Sequence, residues 1–306
     1  MDNPYLDPDE ADRVRAENLE NAKKAAFEAC RKEVVLAKNH NSALPMKKGA
    51  RVYIAVFSGD DAGAAVAQIM GAGTAGDANN EKLRTQLAEL FEARGYIVTN
   101  DPTACDYAYF HVWPKQNNIV FLQKAMPVLE LVDGALIEER EVNRSQKKTG
   151  NMIPIYTLRK VDEIRTLSET VHKNGGKVIA TCVVCNPWLL DKLEPYVDAL
   201  TFQYTISPVA MNNALSAQLD VLSGAYNPTG KMSLTMISSP DVIAIQEKEI
   251  DGVVREICVS PNDVPGYDKD AYIDPEILQN VKGGSYAYYD EDGNYYRAGF
   301  GLRYTK

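Results

Sequence analysis

The chain has 306 residues, 45% of them hydrophobic and 25% charged, a balance typical of a globular protein with a sizeable core. Its formal net charge of −9 and isoelectric point near 5.0 argue against nucleic acid or an anionic membrane as a partner, because both repel an acidic surface. No apolar run reaches the roughly 20 residues that a transmembrane helix needs. We therefore expect one or two globular domains that bind neither nucleic acid nor membranes.

Cysteine usage and the first residues bear on the cellular compartment. Five cysteines, an odd number, are scattered along the chain, which fits a reducing compartment better than a disulfide framework. The opening Met1-Asp2-Asn3-Pro4 is acidic and turn-like, unlike the basic start of a signal peptide. The cysteines favour a cytoplasmic location.

Residues 1–46 are predicted to form a linker and a leading helix. Asp7 or Asp9 can cap this helix, with Pro8 in its first turn. Small and apolar side chains then recur at helical spacing from residue 20 to residue 38. The pattern predicts that the helix continues through residues 20–38.

Residues 47–238 alternate between predicted strands and predicted helices. Apolar runs predict buried strands at 51–57, 95–99, 106–113, 177–184 and 198–204. Helical patterns lie at 61–70, 81–94 and 161–174. Such alternation implies a mostly parallel sheet with helices on both faces, so the predicted fold is a six-stranded α/β sandwich. Residues 114–154 show no clear pattern.

Residues 219–236 predict a joint between a helix and a strand. Gly224 is suited to end the helix, because glycine readily takes the left-handed conformation found at helix ends. Asn227-Pro228 then bends the chain. Large and small side chains alternate over residues 232–236, which predicts a strand.

Residues 239–306 are predicted to form a C-terminal extension. This part of the chain is acidic and rich in loops and prolines. Near its end, Asp292-Gly293 lies between two tyrosine-rich runs, a sequence typical of a β-hairpin turn. We therefore predict a loop-rich segment that ends in a hairpin.

Four segments carry a family resemblance. They are 3–8 (Asn-Pro-Tyr-Leu-Asp-Pro), 34–46 (ending Asn-Ser-Ala-Leu-Pro-Met), 219–236 (containing Asn-Pro-Thr-Gly-Lys) and 298–305 (Ala-Gly-Phe-Gly-Leu-Arg-Tyr-Thr). In the same order, they resemble four segments of glycoside hydrolase family 3, the β-glucosidase family. These are the linker before the second domain, the start of that domain, its Asn-Pro-Ser-Gly-Lys signature and the Phe-Gly-x-Gly-Leu-Ser-Tyr-Thr segment that follows it.

The resemblance implies the C-terminal α/β sandwich domain of a β-glycosidase, an enzyme that hydrolyses O-glycosidic bonds. In the family, an N-terminal TIM barrel carries the nucleophilic aspartate, and the motif around that residue has no counterpart in this chain. The resemblance therefore implies a carbohydrate substrate and a barrel domain or barrel chain as partner, with no cofactor and no metal. We expect part of a larger or split enzyme, or a degenerate stand-alone protein, that is inactive alone.

The resemblance also places the acid/base carboxylate. Glycoside hydrolysis needs two carboxyl groups, one of which acts as the acid. In many family members that group is a glutamate on a loop after a strand that resembles residues 106–113, so the loop here would be 114–151. A solvent-exposed helix face is the alternative explanation for the charged residues 138–141. The carboxylates of this loop include Glu130, Glu138, Glu139 and Glu141, of which the last three are our acid/base candidates.

Three other motifs have simpler explanations. Residues 71–76 match the dinucleotide fingerprint Gly-x-Gly-x-x-Gly, but they do not directly follow a strand, which favours a surface loop. Cys182 and Cys185 follow a strand rather than begin a helix, which favours packed core cysteines over a redox pair. The three histidines lack the spacing of metal ligands: His40, His111 and His172.

A non-catalytic sugar-binding or partner-docking domain is the competing hypothesis. A flavodoxin-like nucleotide binder is a third, and it would require a cofactor to copurify. For the second hypothesis, tyrosines of the C-terminal extension could stack on sugar rings, although packing within the hairpin explains them equally well. They are Tyr286, Tyr288, Tyr289, Tyr295 and Tyr296.

Overall fold

The computed structural model describes residues 7–60, 76–116, 127–141, 147–204, 211–257, 259 and 263–304. The helices are α1 (Pro8–Glu33), α2 (Gly76–Glu92), α3 (Val161–Lys173), α4 (Met211–Leu222) and α5 (Pro275–Gln279). The strands are β1 (Val35–Asn39), β2 (Arg51–Ser58), β3 (Ile97–Thr99), β4 (Tyr107–Trp113), β5 (Ala135–Glu141), β6 (Lys147–Ile155), β7 (Lys177–Val183), β8 (Ala199–Gln203), β9 (Gln246–Ile250) and β10 (Val253–Ile257).

Six strands form one sheet in the order β1-β8-β7-β4-β2-β3. Five of them are parallel, and β1 joins the edge antiparallel to β8. The central strands are nearly continuous apolar runs because helices cover both faces of the sheet. Helices α2 and α4 pack on the face of Tyr109, and α3 packs on the face of Phe110. The predicted six-stranded α/β sandwich is confirmed.

The predicted helix over residues 20–38 is wrong at its C-terminal end. Asp7 caps α1 as expected, through a 2.9 Å hydrogen bond from the Asp9 amide, but the helix stops at Glu33. Residues 35–39 form strand β1 instead, with Val35 opposite Phe202 in the sheet. The β-branched Val34 and Val35 favour the extended backbone. Pairing with β8 then satisfies the backbone groups of the buried strand.

The predicted strand over residues 232–236 does not form. This segment instead bonds to the C-terminal residues, with the Met232 amide donating to Phe300 O and the Met236 amide to Tyr296 O. The prediction that α4 ends near Gly224 is confirmed by the positive φ of 76° at this glycine. Gly230 is required nearby, because a Cβ atom there would lie 2.3 Å from the backbone oxygen of Val34.

Two separate antiparallel hairpins extend the domain, β5–β6 and β9–β10. Residues 138–141 therefore belong to strand β5, and their prediction as a helix surface is wrong. Pairing with β6 holds these charged residues in an extended backbone conformation. Their own sequence does not indicate this conformation. The turn predicted at Asp292-Gly293 is present, with Tyr289 bridged to Tyr295 across it.

Some predictions concern residues outside the described part of the chain. The predicted helix at 61–70 and nearly all of the glycine-rich motif at 71–76 lie there. The division of the chain at residues 46/47 and 238/239 stays a prediction. Among the helices that the structure describes, none is long and apolar enough to cross a membrane.

Candidate functional site

The carboxyl ends of strands β2 and β4 mark the point where the strand order reverses. From β2 the chain continues to β3 on one side of the sheet and then to β4 on the other side. Open parallel sheets bind ligands outside the carboxyl ends of their strands at such a point. In this chain, Ser58 ends β2 and Trp113 ends β4, so the loops that follow them border the candidate site.

The segment that follows hairpin β5–β6 packs directly on this edge. The backbone oxygen of Thr157 accepts from the Lys115 amide at 2.9 Å, and the Asp60 amide donates to Tyr156 O at 3.2 Å. A Cβ atom on residue 59 would lie 2.0 Å from the Thr157 oxygen, so only glycine allows this approach. The hairpin is therefore attached at the carboxyl ends of the central strands.

An ion-pair network fixes the base of the hairpin. Arg159 Nε donates to Asp60 Oδ2 at 3.1 Å, and Arg159 Nη1 donates to Asp133 Oδ1 at 3.1 Å. The Arg159 guanidinium also lies 3.9 Å from the centre of the Tyr156 ring, a cation–π contact. The hydrogen bond to Asp60, together with the nearby carboxylates, raises the pKa of Arg159.

Sequence reasoning overlooked this network, although one signal was available. Asp60 directly follows the buried strand β2 in the sequence Phe57-Ser-Gly-Asp, and polar residues at that position meet at the carboxyl edge of a parallel sheet. Its partner Arg159 lies 99 residues further along the chain, so the pairing itself could not be predicted from local sequence.

Replacing Arg159 by alanine tests whether this network holds the hairpin. Asp60 would keep a buried charge without its partner, so we expect the free energy of unfolding to fall by about 1–3 kcal/mol. Urea denaturation measures this loss, and limited proteolysis should cut the β5–β6 hairpin faster. Arg51→Ala is the matched control, because its ion pair with Asp106 is about half exposed and contributes less than about 1 kcal/mol. Equal losses in the two variants would contradict the assignment.

Three of the carboxylates named from sequence gather in this hairpin region. Glu130, Glu138 and Glu139 line a small pocket of about 10 Å³ together with Arg140. Such a volume holds about one water molecule and no sugar ring. Glu141 ends strand β5, and its side chain lies outside the described part of the structure. The pocket therefore brings candidate carboxylates together without itself forming a substrate site.

The hydrogen bonds of these glutamates are local. Glu138 accepts from the Gly150 amide at 3.1 Å and lies 3.7 Å from Lys148 Nζ. Glu139 accepts from Asn151 Nδ2 at 3.2 Å. The pairing of β5 with β6 is irregular between Glu138 and Arg140, and each of the two glutamates binds its own partner on β6. Each is partly exposed, which leaves carboxylate oxygens that a bound substrate could reach.

The tyrosines considered for sugar stacking are mostly core residues. Tyr286, Tyr288 and Tyr296 are all buried, and burial raises the pKa of each phenol. Tyr289 and Tyr295 pack against each other across the turn, with ring centres 4.7 Å apart. Packing with neighbouring residues therefore accounts for all five, and stacking on a sugar is not supported for the three buried rings.

The cysteines and histidines have ordinary structural surroundings. Cys182 is a buried free thiol with a raised pKa, as predicted for a packed core cysteine, whereas Cys185 is an exposed free thiol and its prediction as a core cysteine is wrong. His40 pairs with Asp292, and His172 pairs with Asp198, each at 2.8 Å. Within the described residues, no group of three His, Cys, Asp or Glu side chains could hold a metal ion.

A family model decides the identification. The model of the glycosyl hydrolase family 3 C-terminal domain matches residues 34–304, which is most of the chain. The chain belongs to this family. The match begins at the start of β1 and ends in the C-terminal extension, so it includes the sandwich, both hairpins and the carboxyl edge. No curated protein matches the chain.

Several solved structures that match the chain are described as β-glucosidases or a β-D-glucoside glucohydrolase. The β-glucosidase of Listeria innocua in complex with isofagomine is 18% identical over 94% of this chain and 34% of its own, with a TM-score of 0.47. The β-D-glucoside glucohydrolase of Trichoderma reesei is 17% identical over 94% and 37%, with a TM-score of 0.45. β-Glucosidase 3B of Thermotoga neapolitana in complex with glucose is 17% identical over 72% and 31%, at 0.42. This chain thus spans about a third of their length.

Proposed function

We propose that this chain is the sandwich domain of a β-glycosidase and completes the sugar site of a barrel domain. The supporting observation is the attachment of the glutamate-bearing hairpin to the carboxyl ends of β2 and β4, within the family 3 segment. That edge is where an open parallel sheet presents ligand-binding loops. A barrel that docks against this edge would meet the hairpin carboxylates at the glycosidic bond.

The proposed chemistry divides the two carboxyl groups between two domains. The barrel supplies the nucleophile, and one glutamate of the hairpin protonates the leaving-group oxygen and later activates water. In a retaining enzyme the two carboxyl groups lie only about 5 Å apart, so both domains must contribute to one site. The sandwich alone supplies one carboxyl group at most, and the lone chain is expected to be inactive.

Hydrolysis of chromogenic β-glucosides and β-xylosides by the purified chain, alone and with a family 3 barrel domain, tests this function. We expect no turnover alone and measurable turnover when the barrel is added. Tight binding of sugar with no hydrolysis in the presence of the barrel would instead favour a non-catalytic binding domain. Turnover by the lone chain would show that a complete active site lies within it and would contradict the proposal.

The acid/base residue is identified by three single variants, Glu138→Gln, Glu139→Gln and Glu141→Gln. General acid–base catalysis contributes about 10²–10⁴-fold, so one variant should lose that much activity toward alkyl glucosides and much less toward nitrophenyl glucosides. The difference arises because a nitrophenolate leaves without protonation. Glu169→Gln on α3, whose side chain is largely exposed, is the control and should retain full activity. Full activity in all three hairpin variants would exclude these residues as the acid.

A further inference from the structure

A second feature of the chain is an open cleft in the C-terminal extension. Its volume is about 720 Å³, within the roughly 300–1,000 Å³ typical of small-ligand sites. Residues 263–270 form one wall, Ser285 to Ala287 with Arg297 form the other, and Ser233 and Thr235 lie at one end. The Ser233 amide donates to the hydroxyl of Tyr204, which follows β8, so this end of the cleft lies beside the carboxyl edge of the sheet.

Hydrogen bonds hold two of the three carboxylates that line the cleft in fixed positions. Asp263 accepts from both the amide and the hydroxyl of Thr235, each at 2.7 Å. Asp270 accepts from the Tyr286 amide at 2.7 Å and from the Ser285 hydroxyl at 2.8 Å. A carboxylate has about four acceptor positions, so each group can also accept from a ligand. The walls are therefore organised before a ligand binds.

Asp263 and Asp270 each lie beside a cation. Arg297 Nη2 is 3.2 Å from Asp270 Oδ2, and Lys269 Nζ is 3.3 Å from Asp263 Oδ1. The two ion pairs therefore present hydrogen-bond acceptors and donors side by side, and the pairs carry little net charge. Neighbouring hydroxyl groups of a ligand, each both donor and acceptor, fit such an array through charge-assisted hydrogen bonds.

An aromatic ring adds an apolar surface to the cleft. Tyr267 lines it and is supported from behind by Tyr272, with the two rings stacked 5.1 Å apart. Three aspartates face two cations here, an excess of one negative charge that disfavours phosphate and other anions. A purely apolar ligand would leave the charged groups without water or partners. A neutral ligand with both hydroxyl groups and a C–H face matches the paired charges and the aromatic ring together.

We infer that this cleft binds a neutral saccharide, with the Arg297–Asp270 pair holding its hydroxyl groups and Tyr267 contacting its ring. The inference goes beyond the proposed hydrolysis and needs no barrel domain, because every group that forms the cleft belongs to this chain. Binding can therefore be measured on the full chain alone. Hydrolysis and cleft binding can fail independently of each other.

An NMR titration of the full chain with cellobiose and with xylobiose tests the inference. We expect shifts of the backbone amides of Tyr286 and Ala298, and affinity weakened about tenfold or more in Arg297→Ala, which loses a charge-assisted hydrogen bond. Arg51→Ala is the matched control, since both arginines are about half exposed and form ion pairs of similar length. Its affinity for the sugar should equal that of the unmodified chain.

Tyr267→Ala provides a second variant should Arg297→Ala fail to fold, and it too should weaken binding of the disaccharides. Three outcomes would overturn the inference. The first is the absence of any shift in the cleft with neutral sugars, and the second is equal weakening by Arg297→Ala and Arg51→Ala. The third is tighter binding of inorganic phosphate than of either disaccharide, which would assign the cleft to anions.

Discussion

Replacing Lys38 by methionine is expected to lower the free energy of unfolding by about 3–5 kcal/mol, because it leaves a buried glutamate without its cation. Lys38 on β1 is almost fully buried, and its Nζ lies 2.7 Å from Glu194 Oε1, whose side chain is equally buried. It also contacts Glu291 Oε1 at 2.9 Å and the backbone oxygen of Glu194 at 3.1 Å. One ammonium group thus joins the sheet edge, the loop before β8 and the C-terminal extension.

The pKa of Lys38 shows which effect dominates. Burial alone would lower this pKa, but the hydrogen bonds and charges of Glu194 and Glu291 outweigh burial and raise it above its usual value. A raised pKa means that the contribution of this ion pair is fully present below about pH 10. That contribution is lost as the pH rises through the pKa of the folded state.

Urea denaturation of three variants separates the buried pair from the exposed one. Lys38→Met should be strongly destabilised, and the double variant Lys38→Met with Glu194→Gln should recover part of the loss, because the buried charge is then removed. Glu291→Gln should cost less than about 1 kcal/mol, since Glu291 is half exposed. A loss in Lys38→Met no larger than in Glu291→Gln would show that the buried pair contributes little.

The ion pairs of Lys38 show which contacts could not be predicted from the sequence. Lys38 lies in a segment predicted as helix, and its partners Glu194 and Glu291 are 156 and 253 residues away. Strands such as β4 and β7 could be predicted because burial on both faces makes them apolar throughout. An edge strand such as β1 depends on its neighbour, and the charged strands β5 and β6 depend on each other, so local sequence does not indicate them.

The candidate site, like the fold, could be predicted from the sequence only in part. Glu138 and Glu139 could be named from sequence because the resemblance to family 3 indicates which loop carries the acid/base. Their extended conformation and the network of Asp60 with Arg159 come from contacts between distant segments. The cleft of Asp263, Asp270 and Arg297 had no sequence signal, because its three parts come together only when the C-terminal extension folds back on itself.

The last prediction concerns acid stability and rests on His111 of β4. This side chain is fully buried between the sheet and its helices, with Nδ1 3.4 Å from the Tyr109 hydroxyl. Among the described residues, its Nε2 atom has no hydrogen-bond partner. Burial lowers the pKa of His111 from its usual 6.5 to about 4, because it removes the water that would solvate a charged imidazolium.

The sign of the effect follows from proton binding. Between pH 6.5 and pH 4 the unfolded chain protonates this histidine and the folded chain does not, so the unfolded state binds more protons. The free energy of unfolding should therefore fall as the pH falls through that range, by about 3 kcal/mol in total from this group. His40 acts in the opposite direction, because its hydrogen bond to Asp292 raises its pKa and so stabilises the fold at low pH.

Urea denaturation between pH 7.5 and pH 4.5, on the unmodified chain and on His111→Gln, measures the contribution. The variant removes the titrating group, so its free energy of unfolding should change less with pH, whatever its stability at pH 7.5. His111→Phe provides a second non-titrating side chain if glutamine prevents folding. In His40→Gln the loss of stability at low pH should instead become steeper. If His111→Gln and the unmodified chain lose stability in parallel, the buried histidine is not responsible, and the acid sensitivity must come from carboxylates such as Asp106, whose pKa the Arg51 amide and side chain lower.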